Sequence, residues 1–265
     1  MNRQIKDFLI KNYYNFRINT VQSPYKIRLR NDDYKFIFIC SHMRSGSSLL
    51  THILVSNPEI IGYGETHINY SSESDLKELL YRVYGKIRNY GMREKYVLDK
   101  VLHNNKFINY DFLTSDNIYT IFLLREPKRT LNSILDLKPH WNQEQAFTYY
   151  CDRLNNLVDY AKLINNKNHS LLINYQQIID NSETVFQSLQ DFLATNNSFS
   201  EQYQIMRTTG VKGVGDSSSN IKSGKIIKTY RQLEERISEK KLERAIASFE
   251  ENYAILAEYC QIINR

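Results

Sequence analysis

The stretch FIFICSHMRSGSSLLTHIL, Phe36 to Leu54, decides how the rest of the chain is read. Its first five residues, Phe36 to Cys40, are an unbroken apolar run rich in strand formers and predict a buried β-strand. Leu49, Leu50, Ile53 and Leu54 recur at helical spacing and predict the buried face of a helix that stops before Asn57-Pro58. Between the two lies a short polar loop, Arg44-Ser45-Gly46-Ser47-Ser48. In open α/β sheets ligands sit beyond the carboxyl ends of the strands, where the first turn of a helix presents N–H groups with no intrahelical partner. The amides around Ser45 to Leu49 can wrap a tetrahedral anion, Gly46 allows close approach, and Ser47 and Ser48 add hydroxyl donors. A nucleotide phosphate is the natural occupant.

Outward from this stretch, strand and helix patterns alternate. IYTIFLL, Ile118 to Leu124, reads as a second strand followed by Arg125-Glu126-Pro127 and another helix, and SLLINY, Ser170 to Tyr175, reads as a third. Helical spacing joins Phe147, Tyr150, Leu154, Leu157, Ala161 and Ile164, and again Leu242, Ile246, Phe249, Tyr253, Leu256 and Cys260. Near the start, Ile5, Phe8, Leu9, Tyr13 and Phe16 predict an amphipathic helix packed on the main body, part of a helical extension over residues 1–33. The alternation argues for a parallel sheet covered on both faces. GVKGVGDSSSNIKSGK, Gly210 to Lys225, gathers four of the chain's nine glycines and predicts a long functional loop.

At 265 residues the chain fits one domain with a substantial core. The first twenty residues are interrupted by charges, and no apolar run approaches a membrane span, so a soluble, cytoplasmic protein without membrane contact is expected. Cys40, Cys151 and Cys260 have no zinc-type spacing and suggest packing roles. The formal charge of +6 favours anionic ligands, but the basic residues are scattered and form no nucleic-acid signature. Oligomeric state is not legible.

A Walker A loop requires G-x-x-x-x-G-K-[ST], and here both the first glycine and the lysine are missing. Arg44-Ser45-Gly46-Ser47-Ser48 instead resembles the 5′-phosphosulfate loop of sulfotransferases that use 3′-phosphoadenosine 5′-phosphosulfate (PAPS). Arg125-Glu126-Pro127-Lys128 followed by Ser133 resembles the same family's 3′-phosphate motif, an arginine at a strand end and a serine eight residues on. Pro127 suits a first helical turn, and Arg125 offers a planar fork for phosphate oxygens. YVLDKVLHN, Tyr96 to Asn104, is similar to the D-K segment of bacterial members, and LLINYQQIIDNSETVFQSLQDFL, Leu171 to Leu193, to their strand, tyrosine and helix. The glycine-rich loop, residues 210–225, resembles the family's nucleotide-covering loop, with Lys212-Gly213 facing the 3′-phosphate.

The resemblance spans about Tyr34 to Lys225 and implies a P-loop-like three-layer α/β fold with a central parallel sheet. It also implies that PAPS is the donor, that no metal is required, and that a hydroxyl or amine of an acceptor receives the sulfuryl group; for a soluble chain without a signal or membrane span, an intracellular small molecule or secondary metabolite is the expected acceptor. Sulfuryl transfer follows the logic of phosphoryl transfer, in which positioning and preorganised charge do most of the catalysis. Arg44 and Lys100 are expected to stabilise the moving group. NPEIIGYGETH, Asn57 to His67, resembles the G-E-[ET] segment of tyrosylprotein sulfotransferases and nominates Glu65 as base, then His67, then His103. Two rivals stand beside this reading: a P-loop kinase or NTPase, and a non-catalytic nucleotide-binding module of the same fold.

Overall fold

The computed structural model describes residues 3–210, 220–229 and 233–263. In chain order the elements are α1 (Arg3–Asn19), β1 (Lys35–Ser41), α2 (Ser47–Val55), β2 (Ile60–Ile61), α3 (Asp75–Ile87), β3 (Tyr96–Val101), β4 (Ile118–Leu124), α4 (Pro127–Leu137), α5 (Gln143–Ile164), β5 (Ser170–Asn174), α6 (Tyr175–Asp180), α7 (Ser182–Leu193), α8 (Glu239–Tyr259) and β6 (Gln261–Ile262). The six strands form one sheet in the order β2-β3-β1-β4-β5-β6, and every pairing is parallel. The chain leaves β1, builds β2 and β3 on one side, then crosses to β4 on the other. The strand order therefore reverses at β1, and the crevice beyond the carboxyl ends of β3, β1 and β4 is the place where a ligand binds in such a sheet.

Both faces of the sheet are covered, which is why β1 and β4 read as near-continuous apolar runs. Phe36, Phe38 and Cys40 of β1 enter one core with residues of α1, α3, α5 and α8. Ile37 and Ile39 enter the other with α2, α6 and α7. The result is three layers of helix, sheet and helix.

Local chemistry explains several boundaries. Pro127 opens α4, and the Glu126 carboxylate caps it by accepting from the Arg129 amide. Asn142 and Gln145 form a reciprocal capping box at the start of α5. The predicted third strand stops one residue early, because Tyr175 begins α6 behind a capping box made by Asn174 and Gln177.

One expectation fails. The α1 helix forms, but Ile5, Phe8, Leu9 and Phe16 lie on its outer face, 54%, 64%, 52% and 47% exposed, while Ile10, Tyr14, Arg17 and Ile18 are buried. The inner face is aromatic and polar: Tyr14 packs near Tyr84 and Tyr90, and Arg17 donates to the Arg28 carbonyl and the Tyr13 hydroxyl. Periodicity located the helix and chose the wrong side, because the buried side satisfies its polar tips through hydrogen bonds. Among the described residues no helix is long and apolar enough to cross a membrane.

Candidate active site

The opening loop leaves β1 at Ser41 and enters α2 at Ser47. Its backbone is tightly specified. Arg44 holds φ of 63° and Gly46 φ of 93°, so two residues in three adopt the left-handed conformation that side chains disfavour. At Gly46 there is also no room: a Cβ would lie 2.1 Å from Cδ2 of Tyr175. The same Tyr175 ring lies under the Arg125 guanidinium, 4.4 Å from carbon to ring centroid. Tyr175 thus braces the loop on one side and Arg125 on the other.

Arg44, Arg125 and Ser133, separated by up to 89 positions in sequence, meet here. Nε of Arg44 donates to Oγ of Ser133 at 2.8 Å, and Nη1 of Arg125 donates to the Arg44 carbonyl at 3.1 Å. Burial lowers the Arg125 pKa, the mark of a cation held where an anionic partner would be favourable. Buried His42 ties the strands together: its Nδ1–H donates to the Met43 carbonyl, and its Nε2 accepts the Arg125 amide at 3.1 Å. Burial pulls this imidazole down to about 4, so it is neutral at ordinary pH. The Arg125 carbonyl accepts from the Tyr150 hydroxyl at 2.8 Å.

A second group lies over β3. Register pairs Phe38 with Asp99 and Ile39 with Lys100, and alternation sends the two β3 side chains to opposite faces. Lys100 is buried, with Nζ 3.2 Å from Oγ of Ser48 and 3.4 Å from Oε1 of Glu65. Oε2 of Glu65 is 4.0 Å from Nδ1 of His67. Asp99 holds the segment that carries these two residues. Its carboxylate accepts from the Thr66 amide, the Thr66 and Tyr70 hydroxyls and the Lys100 amide at 2.6–2.9 Å. Burial pushes the Asp99 pKa up, and those hydrogen bonds oppose the shift. The Thr66 carbonyl in turn accepts from Arg82.

His103 is closer to this group than its sequence rank implied. Burial lowers its pKa, and the Glu65 charge acts in the other direction, so a largely neutral imidazole sits within the field of that carboxylate. Its ring packs 5.9 Å from Tyr149, which packs 5.8 Å from Trp141. The Tyr149 hydroxyl accepts the Met43 amide and donates to the Leu102 carbonyl. Buried Arg153 binds the Ser41 and Val101 carbonyls at the ends of β1 and β3 and holds Oδ1 of Asn104.

The loop, Arg125, Ser133, Lys100, Glu65 and His67 are therefore brought to one end of the sheet. Lys212 and Gly213 lie outside the described residues. The chain just before them is anchored: Oγ1 of Thr209 pairs with Nε2 of His52 in α2 at 2.8 Å, and Oγ1 of Thr208 donates to the Tyr63 carbonyl.

Sequence reasoning passed over His42, Asp99, Tyr149 and Arg153. Asp99 stood in the quoted D-K pair and His42 within the opening stretch, but their importance lies in contacts across the fold. Tyr175 was read as architectural, and its packing against Gly46 gives that architecture a direct bearing on the loop.

No protein-family model matches the chain, and no curated protein matches it. Solved structures do. The sulfotransferase domain from the curacin biosynthetic pathway aligns over 83% of this chain and 99% of its own, with a TM-score of 0.55 at 17% identity. The chain has the sulfotransferase fold. The sulfotransferase domain of the Synechococcus PCC 7002 olefin synthase aligns over 86% of this chain and 98% of its own, with a TM-score of 0.54 at 15% identity. The sulfotransferase fold accounts for the all-parallel sheet flanked by helices.

Proposed function

We propose that the chain is a PAPS-dependent sulfotransferase acting on a hydroxyl or amine of a small-molecule acceptor, without a metal ion. The observation that carries this reading is the meeting of Arg44, Arg125 and Ser133 beside a strand-loop-helix whose far side faces Lys100 and Glu65. Two cationic groups around one loop suit a ligand with an anion at each end. The loop also fits a phosphate: Oγ of Ser45 is buried with no partner among the described residues, and the backbone at Gly46 is stripped of a Cβ.

PAPS, when bound, supplies the sulfuryl group and the 3′-phosphate that distinguishes it from AMP. The amides of Ser45 to Leu49 and the hydroxyls of Ser47 and Ser48 would hold the 5′ side, with the helix dipole of α2 favouring negative charge. Arg125 and Ser133 would hold the 3′-phosphate, with Arg44 joined to them by its bond to Ser133. Lys212 and Gly213 remain part of the proposal as covering residues. Lys100 places its charge between Ser48 and Glu65, where the transferring group and the acceptor oxygen or nitrogen must meet. Glu65 takes the acceptor's proton. His67, at the edge of the pair, and His103, a largely neutral imidazole farther in, are the alternatives for that role.

The experiment is calorimetric titration with 3′-phosphoadenosine 5′-phosphate, AMP and ATP, with and without Mg²⁺. Tight, Mg²⁺-independent binding of the first and much weaker binding of the others supports the reading. Mg²⁺-dependent preference for ATP replaces it with a kinase or NTPase.

A further inference from the structure

The outer face of α1 carries Ile5, Phe8, Leu9 and Phe16, all about half exposed or more. At 100° per residue these four fall within one arc of roughly a quarter to a third of the helix circumference. The other residues of that arc, Asn12 and Asn19, are uncharged, as is Asn15 just beyond its edge. Lys6 and Lys11, both exposed, flank the arc roughly 100° to either side of its middle. The one acidic residue of the helix, Asp7, points away from the arc and is paired with Arg88 at 2.8 Å. Beyond the helix, the Arg28 guanidinium lies 4.8 Å over the Phe16 ring, and the next residue, Leu29, is 80% exposed with φ of 64°. Single exposed apolar side chains are ordinary, but several gathered on one exposed face mark an interaction site.

We propose that this face docks on an anionic lipid surface, with α1 lying in the plane of the interface. Phenylalanine, leucine and isoleucine enter the acyl boundary, and Lys6, Lys11 and Arg28 reach the headgroups. Charge selects this occupant over a second copy of the chain. Pairing two copies through α1 would bring the same lysines and arginine against each other on a chain whose formal charge is already +6. An anionic headgroup layer complements them. The inference is independent of the sulfotransferase reading, and it sets aside the sequence-based expectation of no membrane contact.

The test is co-sedimentation of the full chain with vesicles of palmitoyl-oleoyl phosphatidylglycerol or of the matching phosphatidylcholine. Binding to the anionic vesicles is expected, falling tenfold or more with phosphatidylcholine, with the Phe8→Ser/Leu9→Ser double variant, and with Lys6→Glu/Lys11→Glu. Thermal melts check that each variant folds; the lysine pair is solvent-exposed and decides the matter if the apolar pair disturbs the helix. No binding to anionic vesicles overturns the proposal. So does binding that neither variant weakens, and so does a dimer in sedimentation velocity that Phe8→Ser/Leu9→Ser dissolves without any vesicle binding.

Discussion

Arg44 and Ser133 share a 2.8 Å hydrogen bond although one follows β1 and the other lies inside α4. This joins α4 and the loop after β1 into one cationic cluster with Arg125, and separates that cluster from the Lys100–Glu65 pair on the other side of the loop. Binding and transfer should therefore respond to different substitutions.

Arg125→Ala and Ser133→Ala are expected to weaken 3′-phosphoadenosine 5′-phosphate while leaving AMP almost unchanged. Loss of the arginine should cost roughly 2 kcal/mol, about thirtyfold in Kd. Because Arg44 bonds Ser133 and Arg125 bonds Arg44, the effects should be non-additive in a double-mutant cycle by calorimetry. Equal weakening of both nucleotides would mean that these residues support the fold rather than read the 3′-phosphate.

Glu65→Gln keeps shape and polarity but cannot take a proton. Nucleotide affinity should persist while single-turnover transfer falls about 10²–10⁴-fold, the usual contribution of a general base. His67→Asn and His103→Asn are the matched comparisons. A Glu65→Gln enzyme with near-normal transfer, beside an inactive histidine variant, moves the base to that histidine.

Gly46→Ala should be damaging out of proportion to one methyl group. The left-handed backbone alone costs on the order of 1–3 kcal/mol, and the new Cβ meets the Tyr175 ring. We expect a lower denaturation midpoint and loss of nucleotide binding. Tyr175→Ala in the same chain should restore part of the stability by clearing the space, leaving the backbone cost. If Gly46→Ala binds nucleotide normally, the loop is not held as described.

His42 makes a prediction about pH. Its folded pKa, about 4, lies below the ordinary value of 6.5, so between those limits the unfolded chain binds more protons than the folded one. Stability should therefore be intact above pH 6.5 and fall as pH drops toward 4, by about 3 kcal/mol from this group. Urea unfolding of the native chain and of His42→Gln should show a smaller acid loss in the variant. Identical pH profiles would refute the assignment.

The parallel sheet was legible because β1 and β4 are near-continuous apolar runs and β5 carries Leu171, Leu172 and Ile173 in a row, each strand followed by a helical pattern. The strand β3 was obscured by Asp99 and Lys100, two charges in the middle of a fully buried element, and β6 has only two residues to announce it. Arg44, Arg125 and Ser133 could be nominated because each belongs to a local motif. Tyr175's role could not, since nothing in its neighbourhood points to Gly46, 129 positions earlier. The α1 error has another cause: periodicity reports that a helix has two faces, and only contacts with Tyr84, Tyr90 and Arg28 decide which one turns inward.

Adjacent Asp99 and Lys100 serve opposite sides of the sheet, one restraining Thr66 and Tyr70, the other reaching Ser48 and Glu65. The length of chain leading into this pair is consequently fixed in a way that surface loops are not. One residue inserted within Tyr96–Leu98 would move Asp99 into the place of Lys100 beside Ser48, and one residue deleted there would move Lys100 into the place of Asp99 under Tyr70; in either case both charges change layers. Variation among descendants of this chain should therefore tolerate gaps on either side of β3 and reject them inside it, while point changes at its apolar positions pass more freely.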